Sequence, residues 1–343
     1  MITVYADDHN LHSGLLVPRG DQMRESTESP ARANNVIEAI REQQFGTVVE
    51  PAEFGEDRLT RIHSVDFVDF LKNAWREWRA SDEKGENARP DTFVAAGMRY
   101  ADTDCIVGKL GRYSFDSTTP FVEGSWQAIH TSANIALTGA DLIRGGQQFA
   151  FALCRPPGHH ATVSYCGGYC YLNNAALAVQ LLLDGGAAKI ATLDVDYHHG
   201  NGTQSIFYER DDVLTISLHA DPKLEYPFFI GYADERGAGR GDGFNVNYPL
   251  PFDTDWDRYE AALADALVRI RRFAPDALVV SLGLDTFVGD PTTYFGIVTD
   301  DYTRMGALIG SLGLRTLVVL EGGYSVEHIG ANTVKFLGGL DGN

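Results

Sequence analysis

Short apolar runs bounded by glycine, proline and polar residues recur along the second half of the chain, at 149–154, 189–195, 213–218, 277–284 and 316–320. Between them, and after the last, apolar residues return every three or four positions, at 173–183, 256–273, 301–312 and 326–340. The first pattern predicts buried strands and the second amphipathic helices. Their alternation predicts a mostly parallel sheet with helices on both faces. The first half adds a strand at 2–5 and helices at 31–44, 66–80 and 125–144. One stretch, about 81–124, shows little of either period and carries scattered Gly, Asp, Ser and Thr. No repeat or low-complexity linker divides the chain. The expectation is one α/β domain, 1–343, with a long irregular insertion at about 81–124, the kind of segment that commonly carries function.

Composition narrows the choice. With 28 Lys and Arg against 47 Asp and Glu, the net charge is −19. Such a surface disfavours nucleic acid and anionic membranes, both polyanions, and suits a cationic or neutral substrate. No apolar run reaches the roughly 20 residues of a membrane span, and the first residues lack the basic and apolar regions of a secretory signal. Four cysteines, with three residues between Cys166 and Cys170, make neither a disulfide scaffold nor a two-residue-spaced zinc or redox pair. The expected compartment is the reducing cytoplasm.

In an open parallel sheet, ligands bind beyond the carboxyl ends of the strands. Four expected strand ends run into polar clusters: Arg155-Pro156-Pro157-Gly158-His159-His160, Asp196-Tyr197-His198-His199-Gly200-Asn201-Gly202, Asp285, and Glu321-Gly322-Gly323-Tyr324. Asp196 and His198 are two apart, so an extended segment projects them to one side. Asp285 supplies a third ligand from another strand end. Two carboxylates and an imidazole leave an open position for water, the pattern of a catalytic zinc site, and would also accept Fe(II), Co(II) or Mn(II). The plainer alternative is that the aspartates cap helices and His198 packs in the core.

His159 and His160 follow a rigid Pro-Pro-Gly turn, where a histidine beside an activated water serves as general base and then acid. Asp194 and Asn201 are candidate orienting acceptors. Tyr324, after two glycines, is placed to donate to a developing oxyanion. Tyr169, following Gly167 and Gly168, and Tyr226 are candidate walls for an apolar substrate stem. A phosphate-binding Walker loop, a Gly-x-Gly-x-x-Gly fingerprint and a Gly-x-Ser-x-Gly elbow are all missing, which argues against nucleotide-cofactor chemistry and serine hydrolysis.

The segments RPPGHHA (155–161), GGYCYLNN (167–174), DVDYHHGNGT (194–203), SLGLD (281–285) and EGGY (321–324), with Ile62-His63-Ser64 upstream, resemble the zinc-dependent histone deacetylase superfamily. Length, the 81–124 segment and the stretch 221–237 are most similar to its bacterial acetylpolyamine amidohydrolases. The resemblance implies an arginase/deacetylase fold around an eight-stranded, mostly parallel sheet, and one Zn2+ per chain on Asp196, His198 and Asp285. It implies His160 as general base and acid, His159 as its electrostatic partner, and Tyr324 polarising the acetamide carbonyl. Asp194 would orient His159 and Asn201 would orient His160; some family members carry Asp where Asn201 stands. A structural K+ would use carbonyls of Asp194, His198 and Leu218 with Asp196 and the Ser217 hydroxyl, and a second monovalent site would use carbonyls near Phe207, Arg210, Val213 and Phe244.

The same resemblance makes the long insertion a homodimer contact that narrows the channel, with acidic residues reading the distal ammonium of a polyamine. The familiar glutamate falls here at Thr118, leaving Asp116 and Glu123 as nearby substitutes. Substrate contacts are then expected from Gly168, Tyr169, Tyr226 and Asp116. The implied activity is release of acetate from acetylputrescine, acetylcadaverine and similar amines. The alternative is a bacterial acetyl-lysine protein deacetylase with the same mechanism. An arginase-like binuclear manganese enzyme would carry a further aspartate where Gly283 stands, and an inactive relative would be free to lose His159, His160 and Tyr324.

Overall fold

The computed structural model describes residues 1–83, 85–95, 97 and 101–342, and among them are ten strands, ten α-helices and two short 3-10 helices. The first half runs β1 (Ile2–Val4), β2 (Leu16–Arg19), β3 (Gln22–Glu25), α1 (Pro30–Glu42), β4 (Thr47–Val49), α2 (Glu56–Leu59), α3 (Val65–Ala80), α4 (Ile106–Tyr113) and α5 (Ser125–Arg144). The second runs β5 (Phe149–Ala152), α6 (Asn174–Asp184), β6 (Ile190–Asp194), α7 (Asn201–Phe207), β7 (Val213–Ala220), β8 (Asn245–Leu250), α8 (Trp256–Phe273), β9 (Ala277–Leu282), α9 (Thr299–Gly310), β10 (Thr316–Leu320) and α10 (Val326–Asp341).

Eight strands form one sheet in the order β4-β1-β5-β10-β9-β6-β7-β8, every neighbouring pair parallel. Its central strands are apolar on both faces, as a sheet covered on both sides requires. Along β10 the side chains alternate. Leu317 and Val319 face the core with α3, α5 and α6, whereas Val318 and Leu320 face the core with α1, α8, α9 and α10. This is the three-layer arginase/deacetylase architecture. Among the described residues no helix is long and apolar enough to cross a membrane.

Two sheet strands escape the hydrophobic pattern for physical reasons. β4 is a three-residue edge strand, and β8 (Asn-Val-Asn-Tyr-Pro-Leu) turns its asparagines inward, where Asn245 and Asn247 donate to Gln204. Antiparallel β2 and β3 pair outside the main sheet. The 81–124 segment is less irregular than its sequence suggests. It contains α4, whose Ile106, Leu110 and Tyr113 are buried. Gly108 and Gly111 hid that helix, yet they are close-packing positions: a Cβ on Gly111 would lie 1.9 Å from the Thr92 carbonyl oxygen. Lys84, Ala96 and Met98–Tyr100 of this segment lie outside the described residues.

Four buried histidines make the fold acid-sensitive. Burial lowers His63 and His219 to about 4, and burial with the Arg155 cation lowers His9 to about 4 and His12 to about 3. His63 shows why the neutral ring is native: Nδ1–H donates to the Thr162 carbonyl and Nε2 accepts from the Asn173 amide. Each folded pKa lies below the unfolded value near 6.5, so the unfolded chain binds the extra proton. Stability is therefore complete above pH 6.5 and is lost as pH falls toward 4, by up to about 1.4 kcal/mol per pH unit for each histidine. Thermal midpoints measured between pH 7 and 4.5 should fall steeply, and a flat profile would refute this account.

Candidate active site

In the sheet, β5, β10, β9 and β6 are consecutive neighbours, so the loops that follow them open onto one rim. There the carboxylates of Asp196 and Asp285 and the ring of His198 bring their ligand atoms within 4.8 Å of one another. His198 Nδ1 lies 3.1 Å from Asp285 Oδ2 and 3.4 Å from Asp196 Oδ1. Backbone amides fix the carboxylates: His198 and Gly322 donate to Asp196, and Tyr197 donates to Asp285. The glycines here make room. A Cβ on Gly322 would sit 2.3 Å from Asp285 Oδ2, and one on Gly283 would sit 2.1 Å from Asp196 Oδ2.

Electrostatics favour a cation at this point. Burial and the negative charge of Asp196 push Asp285 up to about 7. Burial opposes a charged His198, but both carboxylates outweigh it and hold that ring well above its ordinary value. Among the described residues neither aspartate has a Lys or Arg partner. Two buried carboxylates and one imidazole nitrogen match the oxygen-and-nitrogen set of a divalent transition-metal ion. A second cluster, His159, Cys170 and Glu321, is differently employed. Glu321 already accepts from the amides of Gly158 and His159 and from the Ser281 hydroxyl, which fixes the turn carrying the histidine pair.

The two adjacent histidines are held in opposite states. His159 Nδ1 lies 2.9 Å from Asp194 Oδ2. Burial alone would discharge this ring, but Asp196 and Asp194 raise it to about 10. His160 Nδ1–H donates to Asn201 Oδ1 at 2.6 Å, while the Asn201 amide nitrogen turns to the His160 carbonyl. That tautomer leaves Nε2 as an unprotonated base. Burial, then the charges of His159 and His198, keep His160 well below its ordinary value. The neutral Asn201 supplies no opposing charge.

Tyr324 closes the other side. Its amide and that of Ser325 both donate to Asp290 Oδ2, and Gly323 turns at φ 116° to swing the ring inward. Burial raises the phenol well above its ordinary value, so it stays a protonated donor. The Arg32 guanidinium lies 4.9 Å from the Tyr324 ring centroid. Arg32 also donates to the carbonyls of Glu321 and Gly323, and Glu28 receives both Arg32 and a two-nitrogen contact from Arg155. Arg155 continues to the carbonyls of His9 and His12. All three charged side chains are buried. They tie the start of α1 to the loops after β5 and β10.

His160, His198 and Tyr324 share a pocket of about 380 Å³ with Gly168, Tyr169 and Tyr226. The Tyr226 ring meets His160 edge-on with centroids 5.0 Å apart, and Tyr169 meets Tyr324 at 5.8 Å. Asp116 has a different place from the one expected of it. One carboxylate oxygen accepts from Tyr226 Oη and the Gly168 amide, and the other accepts from Thr118. It therefore braces the pocket wall and does not line the pocket, and Glu123 is exposed elsewhere. Thr118 does line it, as do two charged residues sequence reasoning passed over, Arg19 and Glu225. Of the expected K+ ligands, Asp194 and Ser217 are direct partners across β6 and β7, with Leu218 next to them. In the second set, the Phe207 and Phe244 carbonyls accept from the amides of Arg210 and Thr215.

An arginase/deacetylase sheet with this carboxylate–imidazole cluster and histidine pair at its rim defines a class of hydrolase. The histone deacetylase domain family matches residues 26–340, and the chain belongs to that family, whose members are deacetylases and are generally metal-dependent. Within it, full-length similarity is to acetylpolyamine amidohydrolases. The chain is 50% identical to acetylpolyamine amidohydrolase 1 of Pseudomonas aeruginosa, covering 100% of this chain and 99% of that one. It is 44% identical to the acetylpolyamine amidohydrolase of Mycoplana ramosa, covering 100% of both. The crystal structure of acetylpolyamine aminohydrolase from Burkholderia pseudomallei superposes with a TM-score of 0.94 at 42% identity, over 99% of this chain and 98% of that one.

Proposed function

We propose that this deacetylase releases acetate from small N-acetylated polyamines such as acetylputrescine and acetylcadaverine, with Zn2+ held by Asp196, His198 and Asp285. The observation that carries the reading is that His198, one of three clustered ligand residues, lines one small pocket together with a neutral His160 and a protonated Tyr324. A net charge of −19 suits a cationic substrate. When bound, the metal supplies Lewis-acid polarisation of the acetyl carbonyl and acidifies water. His160 Nε2 accepts a proton from water and returns it to the leaving nitrogen. His159, held charged by Asp196 and Asp194, keeps the neighbouring His160 ring neutral and so ready to accept that proton. The Tyr324 hydroxyl donates to the acetyl oxygen as negative charge grows there. Tyr169 and Tyr226 flank the methylene stem.

We further assign the structural K+ to Asp194, Asp196, His198, Ser217 and Leu218, whose segments lie side by side on β6, β7 and the loop after β6. The whole chain, 1–343, is read as one catalytic domain, with 81–124 joining two copies and shaping the channel. Exposed Phe93 and Val94, 38% and 42% accessible, and pocket-lining Thr118 support that role. Four free cysteines suit a cytoplasmic setting.

The test is acetate release by purified, zinc-loaded protein from acetylputrescine, acetylcadaverine, acetylspermidine and an acetyl-lysine peptide, each with and without chelator. Chelator-sensitive turnover favouring the small amines is expected. Preference for the peptide would move the protein to the lysine-deacetylase branch, and no turnover with metal bound would overturn the reading.

A further inference from the structure

A linear acetylated diamine presents one charge to the pocket mouth, a distal ammonium. The mouth presents two, of opposite sign. Arg19 ends β2, and among the described residues its guanidinium has no carboxylate partner; its polar contact is to the Tyr169 hydroxyl at 3.5 Å. Glu225 sits on another segment, accepting from the Tyr226 amide at 2.9 Å and the Tyr197 hydroxyl at 3.3 Å, with no cation paired to it among the described residues. Each charge adjoins one of the tyrosines that flank the stem. Tyr169 leads inward to Tyr324, and Tyr226 leads to His160 and His198.

For a plain diamine this arrangement is contradictory, because Glu225 attracts the ammonium that Arg19 repels. An end group with both an ammonium and a carboxylate resolves the contradiction, since each lining charge then gains a charge-assisted hydrogen bond. A volume of about 380 Å³ is on the scale of a small-molecule site, which suits a free amino acid better than a protein segment.

We propose that the chain also deacetylates small amino acids acetylated on the side-chain amine, with Arg19 reading the α-carboxylate and Glu225 the α-ammonium. The step is hydrolysis. Water oxygen bonds to the acetyl carbon, the C–N bond breaks, and the proton passes to the leaving nitrogen, giving acetate and the free diamino acid. This rests on the deacetylase reading above and adds a second substrate class to it.

Nε-acetyl-lysine differs from acetylcadaverine by one carboxylate, so the pair isolates what Arg19 does. The experiment measures kcat/KM of the metal-loaded protein for both, and for Nε-acetyl-lysine blocked at its α-amine and carboxyl. The free amino acid should be turned over better than the blocked one. Arg19→Ala should lower the ratio of acetyl-lysine to acetylcadaverine efficiency about tenfold, mainly through KM, and Arg19→Lys should restore part of it. Glu225→Gln should raise KM for both free compounds. A ratio unmoved by Arg19→Ala, an equal loss on both substrates, or better turnover of the blocked compound would overturn the proposal. Turnover of acetylcadaverine without any of acetyl-lysine would overturn it and leave the polyamine reading intact. Turnover of neither would sink both.

Discussion

His160→Ala is expected to lower kcat for acetate release by about 10²–10⁴-fold, the usual worth of a positioned acid–base group, while metal content stays at the wild-type level. The side chain belongs to no part of the Asp196–His198–Asp285 cluster, and the amides of Gly202 and Thr203 that hold its loop bond to the His159 carbonyl, which the substitution leaves in place. Paired measurement of kcat and bound metal separates the cases. Loss of metal would make His160 a ligand, and unchanged kcat would move the base elsewhere. Its neutral state is set by burial and by two neighbouring charged rings, so placing a carboxylate at Asn201 should raise its pKa and shift the acidic limb of the pH–rate profile upward.

Asp285→Asn is expected to abolish activity by a different route, through the metal. An amide keeps an oxygen acceptor for the Tyr197 amide, so the loop after β9 retains its anchor. What disappears is the second buried negative charge, and with it the reason for a divalent cation to bind. In the wild-type protein, metal at a thousandfold excess over Kd stabilises the native state by about 4 kcal/mol. Thermal scans with and without added Zn2+ should show that increment in the wild type and none in the variant. An equal increment in both would mean that the cation binds elsewhere.

The parts of the fold that sequence reading captured are those where one physical signal dominates. Trp256–Phe273, Ser125–Arg144 and Thr316–Leu320 have the expected ends because each pairs a strong apolar period with a clear stop. The four polar strand ends were legible for the same reason: buried strands leave nowhere but their termini for His, Asp and Glu to cluster. Signals that cancel were not legible. α7 begins in Asn-Gly-Thr and reads as a turn, although Gly202 is required there because a Cβ would lie 2.2 Å from the Ala161 carbonyl oxygen. Asp116 has the composition of a substrate-reading acid, and only the fold reveals that Tyr226, Gly168 and Thr118 already occupy it. Arg19 and Glu225 lie far apart in sequence and meet only at the pocket mouth. Glu28 and Arg32 were not legible as a pair either, because Glu28 stands before the N-cap Ser29, outside the helix that carries Arg32, and only the fold brings the two together.

Glu28 between Arg32 and Arg155 also sets how this chain can change over generations. Removing the glutamate strands two like charges in the interior, and removing either arginine leaves backbone carbonyls of a catalytic loop or of the N-terminal segment without their donor. Substitutions at these three positions are therefore strongly non-additive, so that a viable alternative lies two or three simultaneous changes away and single steps lead downhill. A library that varies them one at a time will recover only the parent, whereas one that varies all three together samples whatever other solutions exist.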